Sequence, residues 1–248
     1  MMKYDILLKE VRDVADGTRL FLFARPDEYV FKAGQYAALI LQKPEGFEVD
    51  NRGLVRPLSI ASAPYENTIC FAMRQGESSF KQLMWSLRPG DSAMLMSPVG
   101  AFTVPDNDDR PIVFMVGGIG ITPAWSILRQ AEHERSARSF TLFYANRFQK
   151  DAAYDEELRK LTLSDFRYVQ VLSRSDEPCQ PENDERGYVD ESMIRKYVAN
   201  PADCLYYLVG SPQVVESFES ILDSIGVSKE QRIKDPFSGM ASQSAQQK

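Results

Sequence analysis

The sequence predicts two domains of different class, an antiparallel β half followed by an α/β half built on a parallel sheet. Three observations carry this: the length, a rhythm of short strands up to residue 102, and a change of grammar beyond residue 111. A chain of 248 residues exceeds one small domain and accommodates two modest ones. In the first half, β-prone runs at 4–11, 19–23, 36–41, 68–74 and 92–96 are separated by turn residues. Among these are Asp16-Gly17, Lys32-Ala33-Gly34 and Pro89-Gly90-Asp91. That spacing belongs to an antiparallel barrel or sandwich. One amphipathic stretch, 79–87, interrupts it. Ser78 or Ser79 supplies its N-cap, and Phe80, Leu83, Met84 and Leu87 share one face.

Residues 104–110 are polar, proline-flanked and without apolar period, and read as a linker between a domain at 1–103 and another at 111–240. In the second half, apolar strands at 112–116, 139–145, 168–172 and 205–209 alternate with helical stretches at 123–134, 154–161, 191–198 and 214–225. Continuous apolar strands separated by helices describe a parallel sheet covered on both faces. The segment 241–248 is polar and reads as a flexible tail.

Composition narrows the function. A formal charge of −6 and the absence of a basic run argue against a nucleic-acid binder. No stretch reaches the ~18 apolar residues of a membrane span, and the N-terminus lacks a secretory signal, so a cytoplasmic protein is expected. Cys70, Cys179 and Cys204 are too few and too scattered for a disulfide framework or a four-thiolate metal site. Redox chemistry, if present, would rest on an organic cofactor.

The strongest local motif is the run 112–116 feeding Gly117-Gly118-Ile119-Gly120-Ile121-Thr122-Pro123. A strand entering glycines and then a helix with proline in its first turn aims free N–H groups and a positive dipole end at an anion. A pyrophosphate fits there. The spacing is not GxGxxG, and a tight turn without ligand is the alternative. In the β half, Arg56-Pro57-Leu58-Ser59 offers a guanidinium beside a hydroxyl, and Arg74-Gln75-Gly76-Glu77-Ser78-Ser79 opens the lone helix, a second anion-accepting N-terminus or an ordinary capped one. Leu208-Val209-Gly210-Ser211-Pro212 leaves an apolar strand for a helix, the position where open parallel sheets bind ligands. His133 reads as a solvated side chain, Trp85 and Trp125 as core filling, and 106–110 as a solvated charge run.

Taken in order, these pieces resemble the ferredoxin-NADP reductase superfamily, over about residues 3–240. Arg56-Pro57-Leu58-Ser59 looks like its flavin motif RxYS, residues 97–102 like its GPxGxF turn, and Gly117 to Pro123 like GGxGxTP. The resemblance implies a Greek-key flavin barrel followed by a pyridine-nucleotide domain. FAD, or FMN, would lie against Arg56, Pro57, Leu58, Ser59, Ala72, Met73, Arg74, Gly76, Ser78 and Ser79. NADPH or NADH would lie against Gly117, Gly118, Gly120, Thr122, Pro123, Asn146, Arg147, Ser173, Arg174, Gly210 and Pro212. Ser59 is expected near flavin N5. Phe237 is expected to cover the ring, a core aromatic being the alternative, and Asp235 to deliver a proton, a surface carboxylate being the alternative. The Ser173-Arg174 pair leans toward NADPH.

Four departures stand out. Leu58 replaces a flavin-stacking aromatic, Val209 a cysteine, Ser211 a proline and Asp235 a glutamate. Electrons would pass to a separate acceptor, a ferredoxin, flavodoxin or oxygenase, or to free flavin, and arginines such as Arg52, Arg74 and Arg88 could face an acidic carrier. A cofactor-binding subunit or sensor without efficient turnover is the third alternative.

Overall fold

The computed structural model describes residues 2–174 and 184–237; Cys179, Ser238 and the tail 241–248 lie outside them. The first sheet holds β1 (Lys3–Ala15), β2 (Thr18–Ala24), β3 (Tyr36–Leu41), β4 (Val55–Ser59), β5 (Thr68–Arg74) and β6 (Ser92–Met96). They are ordered β4-β3-β6-β1-β2-β5, with every pair antiparallel. Just past β4, Ala61 N–H donates to the Cys70 carbonyl on β5 at 2.8 Å, and Cys70 N–H donates to Ser62 Oγ at 3.1 Å. These bonds join the two edge strands and close the sheet on itself.

Phe21, Phe23, Phe71, Leu8 and Leu39 fill the interior, and α1 (Ser79–Ser86) adds Phe80, Leu83 and Met84 to the same cluster. Each such side chain contributes about 1.5–3 kcal/mol by leaving water. The N-cap of α1 is Ser78, whose hydroxyl accepts from Lys81 N–H. β1 extends to Ala15, past the expected residue 11, because Arg12 and Asp13 pair by backbone with Leu20 and Arg19 while their side chains face water. The ladder continues where the apolar signal stops.

The second sheet is parallel throughout. It comprises β7 (Ile112–Gly117), β8 (Phe140–Asn146), β9 (Phe166–Leu172), β10 (Glu185–Arg186), β11 (Leu205–Gly210) and β12 (Arg232–Pro236) in the order β10-β9-β8-β7-β11-β12. Its helices are α2 (Ile121–His133), α3 (Asp155–Arg159), α4 (Glu191–Tyr197) and α5 (Pro212–Ser224). α2 starts two residues before the expected 123, since Pro123 in a first turn removes an N–H that has no helical partner anyway. α3 starts one residue after the expected 154 because Tyr154 is left-handed at its cap, with φ +62°, and it ends at Arg159, before the expected 161. β10 and β12 carry no apolar run. One is two residues long, and the other is a half-exposed edge strand with charged residues at Arg232, Lys234 and Asp235.

The chain packs as two compact units. Residues 2–108, 122–137 and 149–164 form one, and 109–121, 138–148 and the described residues from 165 onward form the other. Within the first unit, Ser126 Oγ donates to the Ser62 carbonyl at 2.6 Å and Lys150 pairs with Asp16 at 2.9 Å. Trp125 stacks on Tyr154 with centroids 4.9 Å apart, and the exposed His133 lays one face on Tyr65 at 4.0 Å. Among the described residues, no helix is long and apolar enough to cross a membrane.

Candidate functional site

Arg56, Pro57, Leu58 and Ser59 lie on β4, where an edge position tolerates the proline because its missing N–H interrupts no inner ladder. Arg56 is fixed by its own neighbourhood. Nη1 donates to the carbonyls of Arg52 (2.7 Å), Gly53 (3.1 Å) and Val55 (2.7 Å), and the guanidinium lies 5.3 Å from the Phe80 ring. Nη2 is buried without a hydrogen-bond partner among the described residues. A buried, unsatisfied charged donor is costly, and an anion would satisfy it. Ser59 is buried, and its hydroxyl has no hydrogen-bond partner among the described residues. Leu58 is half-buried against the barrel core.

The second half of this group comes from β5 and α1. Met73 and Ala72 are buried, Met73 within the barrel core, which leaves their backbone as the part available to a ligand. The exposed Arg74 pairs with Asp151 at 3.3 Å. The stem of Lys81 lies over Gly76, where an added Cβ would come 2.7 Å from Lys81 Cδ. Burial and the fields of Arg52 and Arg74 push the Lys81 ammonium below its ordinary pKa. Burial and Arg52 likewise lower Arg56. Four cations therefore converge around β4 and the start of α1 in a chain that is acidic overall.

Sequence reading missed Lys81. The available signal was a lysine in the first turn of a helix with no acidic residue there, the end where the macrodipole disfavours a cation. It also missed Asp50, which stands 29 residues from the helix it touches. Asp50 Oδ2 accepts Ser79 N–H at 2.9 Å, Oδ1 accepts Arg52 N–H at 2.9 Å, and Asp50 N–H donates to Ser79 Oγ at 3.1 Å. These bonds, the Ser79 amide first, hold the Asp50 carboxyl below the usual carboxylate range, with Arg56 adding to the shift.

In the second unit, β7 and β11 are the central neighbours at which strand order reverses, and open parallel sheets take ligands at that switch point. Gly117 ends β7, and Gly118–Gly120 form a 3-10 turn running into α2 with Thr122 and Pro123 buried in its first turn. Gly118 has φ +54°, and a Cβ there would meet nothing within 4 Å, so the turn leaves open space above its backbone. Gly120 is under the opposite constraint: its Cβ would lie 3.1 Å from Gly210 N, Val209 C and Val209 O. Ser211 caps α5 by accepting Val214 N–H, with Pro212 at the first helical position. Ser211 thus has a local role.

β12 completes this edge. Asp235 lies in register beside Val209, Pro236 beside Gly210, and Phe237 N–H donates to the Gly210 carbonyl at 2.8 Å. Val209 is fully buried, Phe237 is half-buried, and burial alone pushes the half-buried Asp235 carboxyl above its ordinary value of 3.8. A carboxyl with a raised native pKa adds stability at low pH that is lost as pH rises through that native value. Asp235→Asn is therefore expected to flatten the fall in melting temperature that begins above about pH 4. Calorimetry across pH checks it, and an unchanged slope would mean that the carboxyl is not desolvated.

Asn146, Arg147, Ser173 and Arg174 come together at the ends of β8 and β9. Ser173 N–H and Oγ donate to the Asn146 carbonyl at 3.0 and 3.4 Å, and Arg174 N–H donates to the Arg147 carbonyl at 2.9 Å. Asn146 Nδ2 is buried without a hydrogen-bond partner among the described residues. Both guanidiniums are exposed and unpaired among the described residues. This is a second place suited to an anion.

Residues 114–220 match the model of the oxidoreductase NAD-binding domain. One component of the Na(+)-translocating NADH-quinone reductase of Actinobacillus pleuropneumoniae serotype 5b (strain L20) is 31% identical over 163 residues, 63% of this chain and 39% of that protein. The reductase component of propane 2-monooxygenase from Mycolicibacterium goodii is 29% identical over 221 residues, 86% of this chain and 60% of that protein. The chain thus spans less than two thirds of these curated relatives. Among solved structures, a ferredoxin NADP+ reductase from Neisseria gonorrhoeae with bound FAD and NADP superposes with a TM-score of 0.80 at 21% identity, covering 94% of this chain and 98% of that one. Part of the second half is thus similar to an oxidoreductase NAD-binding domain, and the chain has the two-part fold of the Neisseria gonorrhoeae structure.

Proposed function

We propose that this protein is a flavin-dependent NAD(P)H oxidoreductase that passes electrons to a separate acceptor, a ferredoxin-like carrier or an oxygenase. The observation that carries this reading is the buried Arg56 Nη2, without a hydrogen-bond partner among the described residues and beside Lys81 and Arg52, in a chain whose other unit offers a glycine turn at its switch point. In this reading residues 1–103 hold the flavin, 104–110 link, and 111–240 hold the nicotinamide nucleotide. Bound FAD would supply hydride acceptance from NAD(P)H and onward delivery of electrons.

The chain's own residues hold, orient and adjust the charge around these groups. Arg56 and Lys81 neutralise flavin phosphate, with backbone of β5 and the Gly76–Ser79 turn alongside. Ser59 offers a hydroxyl to the isoalloxazine edge; on the other unit, Phe237 offers an aromatic face and Asp235 a carboxyl that retains its proton longer than usual. Backbone N–H groups at Gly118–Thr122 hold pyrophosphate at the positive end of α2. Arg147 and Arg174, with Asn146 and Ser173, take the adenosine end, and two guanidiniums unpaired among the described residues favour a 2′-phosphate and hence NADPH.

Arg174→Ala is expected to raise KM for NADPH by roughly tenfold, one charge-assisted contact, while leaving KM for NADH within about twofold. Equal losses with both nucleotides would place the 2′-phosphate elsewhere. The test of the function itself is anaerobic stopped-flow mixing of the FAD-loaded protein with NADPH or NADH. Rapid bleaching of the flavin band is expected. A flavin that binds and does not bleach would instead support a cofactor-binding subunit or sensor. A second reading, a reductase releasing free reduced flavin, draws on Leu58, which offers apolar surface without ring stacking. Ready loss of flavin on gel filtration would favour it.

A further inference from the structure

We propose that Asp50 is a built-in competitor for flavin phosphate, its carboxylate occupying the first amide of α1 until a flavin nucleotide displaces it. The proposal rests on the flavin reading above and concerns the exchange of cofactor at that same site. Three features carry it. The Asp50 carboxylate accepts the Ser79 amide at 2.9 Å and is held down a second time by the Arg52 amide at 2.9 Å. It lies within the field of Arg56, whose Nη2 is buried without a hydrogen-bond partner among the described residues. Lys81, in the same first turn of α1, is crowded by Arg52 and Arg74 and gains no carboxylate partner among the described residues.

One carboxylate therefore answers the helix N-terminus but leaves Arg56 Nη2 without a hydrogen-bond partner and Lys81 without a carboxylate among the described residues. A flavin phosphate carries more negative charge and more acceptor oxygens, so it suits the cations better. To reach the Ser79 amide it must displace Asp50 or lie against it, and two anions a few ångströms apart oppose each other. The result is a site that keeps its geometry when empty and holds its nucleotide less tightly than Arg56 and Lys81 would without Asp50. With the non-aromatic Leu58 beside it, such a site favours flavin exchange.

The experiment titrates apo wild-type and Asp50→Asn proteins with FAD, FMN and riboflavin, following flavin fluorescence, and measures FAD release by stopped flow. Asparagine still accepts the Ser79 amide through its side-chain oxygen, so the cap survives without the charge. Asp50→Ser provides a second uncharged cap, and melting temperatures confirm folding. Both variants are expected to bind FAD and FMN on the order of three- to tenfold tighter and to release FAD more slowly, with riboflavin affinity unchanged. Equal or weaker FAD binding in the variants overturns the proposal, and so does tightening that extends equally to riboflavin. If no protein binds any flavin, the flavoprotein reading falls first and this proposal with it. Flavin binding without a difference sinks Asp50 alone.

Discussion

Arg56→Ala is expected to weaken FAD binding by about a hundredfold or more, the largest effect on the cofactor of any single substitution in this chain. The buried Nη2 has no hydrogen-bond partner among the described residues, and a phosphate brought against it would satisfy it. Hydrogen bonds to charged groups are worth about 1.5–3 kcal/mol each, and two of them account for the expected factor. The same substitution removes three bonds from Nη1 to the carbonyls of Arg52, Gly53 and Val55, so the 50–55 loop should loosen and the melting temperature should fall. Arg56→Lys separates the two effects. It keeps the charge but loses the planar fork, and should fall between wild type and alanine in FAD affinity. Fluorescence titration with FAD, paired with thermal melts, reads both. An alanine variant that holds FAD as tightly as wild type would show that β4 does not grip the phosphate.

Gly120→Ala is expected to act on the nucleotide and spare the flavin. The new methyl would sit 3.1 Å from Gly210 N and from the carbonyl carbon and oxygen of Val209, all backbone atoms at the end of a central strand. Neither side can yield by rotating a side chain, so the turn and the strand end must move apart by a few tenths of an ångström. Overpacking of this kind costs about 1–3 kcal/mol. Because the amides at Gly118–Thr122 move with it, reduction of bound flavin at low NADPH should slow by roughly tenfold or more, while FAD affinity stays unchanged. Stopped-flow rates against nucleotide concentration, with a parallel FAD titration, check this. A loss of FAD binding alongside the rate would contradict the assignment of this turn to the nicotinamide cofactor.

Much of the architecture was legible in residue order. The alternation of short strands and turns up to residue 102 corresponds to β1–β3, β5 and β6, and the expected bounds of β3, β5 and β6 coincide with the observed ones because buried apolar periods end sharply at turn residues. The glycine run after residue 116 was readable because a strand-to-helix turn with proline in the first helical turn leaves few conformational alternatives. Edge elements were harder. β12 carries three charged residues on a half-exposed edge, and β10 is two residues long, so neither offers the continuous apolar run that marks a covered strand. At the flavin-side group, Arg56 and Ser59 were visible as a motif, whereas Lys81 was masked by its place in an amphipathic helix.

By itself the sequence determined the two fold classes, the glycine turn and the motif residues on β4, because each depends on local pattern: period, turn chemistry and spacing within a few residues. Only the tertiary structure decided which charges meet. The pairing of Asp50 with the Ser79 amide, the gathering of Arg52, Arg56, Arg74 and Lys81, the placing of Asp235 beside Val209, and the packing of residues 122–137 and 149–164 with the antiparallel sheet all join groups distant in sequence. The physical reason is that burial and Coulomb interaction depend on distance through space, which no local period encodes.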